Sequence, residues 1–287
     1  MTLSETKQSI KQKLSTHFEA IELNSLLAML LEHVTGWNQI QQVVQKESPL
    51  TIEQLQTIEQ FTDALIIGKP IQYLTGKSWF MGNVFLVNED VLIPRPETEE
   101  LVEWVGEYAQ IIDRPLKIID IGTGSGCIAI ALKKILPDSS LSGLDISIAA
   151  LSVAAMNAKQ LNVDIKWVEQ DILMSASLPD TYDIIVSNPP YIPVREITDM
   201  QDQVKNFEPS IALFVSNEDP LIYYRMIARL GKQYLSNNGQ LFFEMHYDQG
   251  KAIQSLFDEM GYHAELRKDM YGKDRMIRAS LKPKQGV

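Results

Sequence analysis

Through roughly the first 70 residues, apolar side chains recur at three- and four-residue spacing. The stretches "IKQKLSTHF", "NSLLAMLLEHV", "IQQVVQ" and "TIEQLQTIEQFTDALIIG" all keep this rhythm with almost no strand signal between them. The pattern predicts a small bundle of amphipathic helices. Asn24, Thr35 and Thr51 are the expected cap or turn residues, and Gly68 with Pro70 closes the last helix. The rhythm then breaks. "QYLTGKSWFMGNVFLVNEDVLIPRPETEE" is rich in aromatic and β-branched residues around Gly76, Gly82 and Asn83, which predicts a hairpin linker.

From about residue 93 short apolar runs alternate with helix-length amphipathic pieces. "LKIIDIG" (116–122), "SLSGLDI" (140–146), "DIKWVEQ" (164–170), "YDIIVSN" (182–188) and "GQLFFEMH" (239–246) read as strands. Such alternation implies an α/β fold, a largely parallel sheet with helices on both faces. The final runs, "HAELRKDM" and "RMIRASLK", are separated only by "YGKD" and read as an antiparallel pair at one end of the sheet. The expected organisation is a helical domain over 1–72, a β-hairpin linker over 73–92 and a sheet domain over 93–287.

Composition narrows the function classes. The 287 residues are 45% hydrophobic and 22% charged, as in folded globular proteins. A formal net charge of −11 argues against stable nucleic-acid binding, which lysine and arginine drive. A single cysteine, Cys127, excludes an internal disulfide framework and fits a reducing compartment. No run approaches the length of a membrane span, and the first 40 residues lack arginine but contain Glu5, Glu19, Glu22 and Glu32, so neither a membrane segment nor a transit peptide is expected. A cytoplasmic location is the expectation.

The chemistry begins at the end of the first strand of the sheet domain. In "DIGTGSGCIAIAL", Gly122, Thr123, Gly124, Ser125 and Gly126 form a turn that leads into a helix, where a ligand can approach the main chain and free N–H groups await it. A nucleotide-like cofactor is the natural occupant. Cys127 stands where the dinucleotide fingerprint places its third glycine, which weakens a nicotinamide reading. Asp145, 23 residues after Gly122, closes the second strand and is placed either to accept from ribose hydroxyls or to cap the helix that follows. Asp171 closes the third strand within reach of an adenine amine, with Ile172 to cover the ring. The fourth strand ends in "VSNPPYIP". Proline cannot continue a helix or donate to a ladder, so Asn188, Pro189, Pro190 and Tyr191 form a stiff corner suited to gripping a flat group that carries N–H donors.

An adenosine pocket beside an Asn-Pro-Pro-Tyr corner resembles the class I methyltransferases that use S-adenosyl-L-methionine, and within them those that methylate a planar nitrogen. "VLIPRPETEELV", "DIGTGSGCIAIAL", "VSNPPYIP", "FEPSIAL" and "GKDR", in this order behind a helical region, are similar to the peptide chain release factor glutamine methyltransferases. The resemblance implies a Rossmann-like seven-stranded methyltransferase domain, S-adenosyl-L-methionine as cofactor and S-adenosyl-L-homocysteine as its product. It implies class I release factors as partners, methylated on the side-chain amide nitrogen of the glutamine in their Gly-Gly-Gln motif. It also places the "IPRPETEE" loop over the cofactor, which makes Arg95 and Thr98 site candidates; Thr98 alternatively caps a helix.

Glu244, at the end of the fifth strand, either faces the site or pairs with a surface lysine. His246 stands where the family usually carries glycine. Cys127 reads as a packing residue, and His17, His33, His246 and His263 have no metal-ligand spacing. Rival readings are a ribosomal-protein glutamine methyltransferase, a nucleic-acid amino methyltransferase and a non-catalytic module that keeps the cofactor fold. The helical N-terminal region, the acidic charge and the intact corner respectively disfavour them.

Overall fold

In the computed structural model of this chain, which describes residues 1–112 and 114–283, the N-terminal helices begin where short polar side chains supply capping bonds. The elements are α1 (Leu3–Leu14), α2 (Ala20–Thr35), α3 (Gln39–Val44), α4 (Ile52–Ile66) and a short α5 (Ile71–Thr75). Thr2, Asn38 and Thr51 each accept from the N–H three residues on, and Glu5, Gln41 and Gln54 return the bond. Each such reciprocal pair satisfies two otherwise orphaned donors. Asn24 is not a cap. α2 starts a turn earlier because Leu23 already belongs to its buried stripe with Leu27, Leu30 and Leu31, and the Asn24 side chain accepts from Lys11 Nζ at 3.3 Å. Gly36, in the left-handed region at φ 72°, ends α2 with its N–H on the Glu32 carbonyl. Leu14, Leu27, Leu30, Ile58, Leu65 and Ile71 share one core. α3 is inverted: it buries Gln42, which donates to the Ala28 and Trp37 carbonyls, and leaves Ile40, Val43 and Val44 exposed.

Residues Met1–Lys77 and Gln201–Phe207 make one compact unit, and Ser78–Met200 with Glu208–Val287 make a second. Residues 113 and 284–287 of the expected sheet domain lie outside the described residues. The expected hairpin is β1 (Lys77–Phe80) and β2 (Asn83–Leu86), reversed through Met81 and Gly82, both at positive φ. After α6 (Pro96–Gln110) come β3 (Lys117–Ile121), α7 (Cys127–Ile135), β4 (Ser140–Asp145), α8 (Ile148–Gln160), β5 (Lys166–Glu169) and β6 (Tyr182–Ser187). Short pieces follow: β7 (Ile192–Pro193), α9 (Asp202–Phe207), α10 (Ser210–Leu213) and β8 (Phe214–Val215). The chain closes with α11 (Ile222–Tyr234), β9 (Leu235–Glu244), α12 (Gly250–Glu259), β10 (Tyr262–Lys268) and β11 (Asp274–Leu281).

Seven strands form one sheet in the order β10-β11-β9-β6-β3-β4-β5, parallel except for β11, which runs antiparallel between β10 and β9. The predicted α/β sheet and its terminal antiparallel pair are both present. Alternation along the strands divides the core in two. Ile118, Ile184, Val186, Phe242 and Met276 pack on the side of α6 and α7. Their neighbours Ile119, Ile185, Phe243 and Ile277 pack on the side of α11 and α12. Burial on both faces explains why these strands read as continuous apolar runs. Among the described residues, no helix is long and apolar enough to cross a membrane.

The sheet has its reversal of strand order between β3 and β6, and the turns at the carboxyl ends there form a crevice. One fully buried side chain ties the hairpin to that crevice. Asn157 of α8 accepts from Leu86 N at 2.6 Å and donates to Leu86 O at 3.0 Å and to Ser125 O at 2.9 Å. Replacing Asn157 by leucine, close to it in size, strands these groups without partners. Urea denaturation should show a loss of about 2–4 kcal/mol, since each unsatisfied buried group costs roughly 1–3 kcal/mol.

Candidate active site

Three glycines in the turn after β3 have left-handed backbone: Gly122 at φ 75°, Gly124 at 54° and Gly126 at 79°. They serve two purposes. A Cβ at Gly122 or Gly124 would meet nothing within 4 Å, and both residues line a cavity of about 170 Å³. A Cβ at Gly126 would lie 3.0–3.2 Å from Trp167, Ala154 and Ile130, so that glycine admits packing instead of a ligand. Gly143, which the sequence reading passed over, is tighter still, with Trp167 at 2.3 Å from its Cβ position.

Asp145 braces the turn it faces. One carboxylate oxygen accepts from Gly124 N at 2.9 Å and the other from Ser147 N at 3.0 Å. Ser147, not Asp145, is the N-cap of α8. A carboxylate has about four acceptor positions, so Asp145 keeps capacity for a ligand while lining the cavity. Asp171 accepts from Leu173 N at 2.8 Å and lines the cavity too, with Ile172 and Tyr223 as apolar and aromatic wall. Thr123 and Ser125, expected beside a cofactor, are buried and do not line it. Thr123 donates to Asp120 at 2.5 Å, and the Ser125 hydroxyl is turned toward the neighbouring Cys127 thiol. Two carboxylates, an open glycine shelf and an apolar wall suit a nucleoside that carries hydroxyl and amino donors. Among the described residues, no group of three or more His, Cys, Asp or Glu could hold a metal ion.

Asn188 and Pro190 bring the corner after β6 to the cavity wall, whereas Pro189 and Tyr191 stand outside that wall. Behind Asn188 is a buried chain of side chains. Its Nδ2 donates to Thr98 Oγ1 at 3.1 Å, and Thr98 Oγ1 donates to Glu244 Oε2 at 2.6 Å. Tyr191 donates its hydroxyl to Glu244 Oε1 at 3.1 Å. Glu244 is therefore neither exposed nor paired with a lysine, and burial raises its carboxyl pKa against the hydrogen bonds and Arg275, which lower it. The Tyr191 phenol is also pushed up, by burial first and then by the Glu244 charge. Thr98 is not a cap, because Arg95 takes that position with Pro96 first in the helix.

Arg95 pairs with Glu208, whose buried carboxylate also accepts from Ile93 N at 3.3 Å. That pair joins the "IPRPETEE" and "FEPSIAL" segments and keeps Arg95 off the cavity wall. His246, bonded to Asp248 at 2.5 Å, sets its ring 6.1 Å from that of Tyr191. Cys127 packs in the core, and burial pushes its thiol up to about 12. Sequence reasoning assigned no role to Asp120, Glu208 or Tyr223. Asp120 had a signal, as the one acid in "KIIDI"; Glu208 and Tyr223 depend on contacts across the fold.

Comparison with known proteins adds two kinds of likeness. Residues 7–76 match a family described as PrmC N-terminal domain, and residues 108–205 match Methyltransferase small domain. The chain is 42% identical over 98% of its length to a release factor glutamine methyltransferase of Flavobacterium psychrophilum, covering 100% of it. A protein of the same name from Bacteroides thetaiotaomicron is 38% identical over 94% of this chain and 97% of its own. Another, from Bacillus subtilis, is 34% identical over 96% and 97%. Among solved structures, a methyltransferase from Pyrococcus furiosus shares the fold at a TM-score of 0.52, with 13% identity over 78% of this chain and 99% of that one.

Asp120 sets a pH dependence on the folded state. It is fully buried, one of its oxygens has no hydrogen-bond partner among the described residues, and burial raises its pKa from 3.8 to about 7 against the Thr123 hydrogen bond. Between those values the unfolded carboxyl has lost its proton while the folded one retains it, so rising pH favours unfolding. Asp120→Asn should remove this slope. Compared with wild type, the variant should gain on the order of 2 kcal/mol between pH 5 and pH 8 in denaturant titrations.

Proposed function

The chain belongs to the release factor glutamine methyltransferases, and we propose that it transfers a methyl group to the side-chain amide nitrogen of the glutamine in the Gly-Gly-Gln motif of class I release factors. The observation that carries the reading is Asn188. It lines the cavity with its NH2 held by Thr98, which leaves its Oδ1 as the acceptor for a substrate amide.

S-adenosyl-L-methionine is the cofactor under this reading, and when bound it supplies an electrophilic methyl group. Gly122 and Gly124 give it room beside the main chain. Of the residues that would hold it, Asp145 would accept from the ribose hydroxyls and Asp171 from the adenine amine, and Ile172 would cover the ring. An amide nitrogen is a weak nucleophile because its lone pair is delocalised into the carbonyl. Asn188 Oδ1, at the cavity wall, accepts from one of its N–H groups and the Pro189 carbonyl, just beyond that wall at the same corner, from the other, which orients the lone pair, so orientation does much of the catalysis. The proton departs after the nitrogen has gained its new substituent, so no strong base is needed beforehand. Tyr191 and Pro190 keep the corner rigid.

The N-terminal unit is the recognition module in this account. Residues 1–70 carry five lysines and no arginine against eight acids and hold no catalytic cluster, while α3 exposes Ile40, Val43 and Val44. These features support contact with a protein surface. A substrate that works on the ribosome puts the enzyme in the cytoplasm.

Two substitutions separate cofactor from acceptor. Asp145→Ala should weaken S-adenosyl-L-methionine binding in calorimetry by about 10-fold or more, because each charge-assisted bond contributes about 1.5–3 kcal/mol. Unchanged affinity would take Asp145 out of the site. Asn188→Ala should keep cofactor affinity and lower methyl transfer by orders of magnitude. The readout is mass spectrometry of release factor, a ribosomal protein and duplex DNA incubated together with cofactor; methyl groups on either of the latter two would point to the rival readings.

A further inference from the structure

We infer that Thr98 and Glu244 are positioning residues that fix which end of the Asn188 amide meets the substrate. The inference rests on the reading of Asn188 as the acceptor for a substrate amide. A primary amide has nearly the same shape at its oxygen and nitrogen ends but opposite hydrogen-bonding character. Turned by half a revolution, Asn188 would present donors to a group that itself carries only donors on the reacting nitrogen. Something must hold it one way round.

A hydroxyl alone does not do so. Thr98 Oγ1 can accept from Nδ2 or donate to Oδ1, and so accommodates both orientations. Glu244 removes the choice. Its buried carboxylate, 2.6 Å from Thr98 Oγ1, takes the single hydroxyl proton, which leaves Thr98 only as an acceptor toward Asn188. Only Nδ2 can then face Thr98, at 3.1 Å, and Oδ1 is left for the substrate. The carboxylate is itself held. Tyr191 donates to its other oxygen at 3.1 Å, and Tyr224 donates to the Glu244 backbone carbonyl at 3.1 Å.

The sheet builds this relay. β6 and β9 are parallel neighbours with Ser187 opposite Phe243, so Asn188 and Glu244 stand side by side at the carboxyl edge. Thr98 reaches them from the first turn of α6, which packs on β9. An acid at the end of a strand thus acts on the acceptor amide through one hydroxyl, without lining the cavity itself.

The test uses the full chain with intact release factor, reading kcat, KM, cofactor affinity by calorimetry and the unfolding temperature. Thr98→Val keeps the shape and deletes the oxygen; it should lower kcat about tenfold or more, with KM and cofactor affinity within about twofold of wild type. Thr98→Ser restores the hydroxyl and should return kcat to within about threefold. Glu244→Gln offers one donor in place of an acceptor and should fall between them. Wild-type kcat in Thr98→Val overturns the inference, and so does a Ser variant as slow as the Val variant. A loss in Thr98→Val shared equally by cofactor affinity and unfolding temperature reduces the contact to structural support, and wild-type kcat in Glu244→Gln removes Glu244 from the relay. Asn188→Ala separates the levels: if it retains full activity, the reading of the acceptor fails, whereas its loss together with an active Thr98→Val variant sinks only the relay.

Discussion

A parallel sheet covered on both faces confines most polar side chains to the ends of its strands, as with Asp183 at the start of β6, and the carboxyl ends are where they meet the cavity. β6 is buried along its whole length, and β3 and β4 are nearly so. The groups that line or support the cavity accordingly come from the turns that follow: Gly122 after β3, Asp145 at the end of β4, Asp171 after β5, Asn188 after β6 and Glu244 at the end of β9. Asp120 stands one residue short of that carboxyl edge. Its carboxyl lies inside the sheet, and the desolvation shows as a raised pKa.

The two halves of the site are held by different means. Backbone donors hold the carboxylates on the cavity side: Gly124 and Ser147 on Asp145, Leu173 on Asp171. These bonds come from turns that the strands already position, so the half that suits a nucleoside is fixed by local geometry. On the Asn188 side the work falls to side chains from three distant stretches of sequence, with Thr98, Asn188 and Glu244 joined in one chain. Such a chain is directional, because every hydroxyl proton has a single destination.

Glycine shows how one residue type carries both functions within five positions. Gly122 and Gly124 face open space, while Gly126 is pressed on Trp167, Ala154 and Ile130. Asn157 then fastens the Ser125 carbonyl between them to the hairpin, so the shape of the turn depends on a residue of α8 that never touches the cavity.

Local pattern determined a good deal. Three-and-four periodicity located the N-terminal helices, continuous apolar runs located the strands, and the Asn-Pro-Pro corner was legible because proline's restrictions act on its own neighbours. Asp145, Asp171 and Ile172 were legible too, since a strand end followed by an acid is a one-dimensional signal. Their arrival at one cavity is a matter of strand order. What local pattern did not reveal depends on partners far apart in the chain. Thr98 read either as a site candidate or as a cap, because caps are local and its partner lies 146 residues away. Glu244 read as either facing the site or pairing with a surface lysine, and local pattern could not choose, because exposure is a property of the packed sheet and not of the strand. Arg95 appeared available to a ligand until Glu208, 113 residues on, took its guanidinium. Hydrogen bonds are short and strands are long, so the sequence by itself determined which groups stand at the carboxyl edge, while tertiary structure alone decided which of them touch.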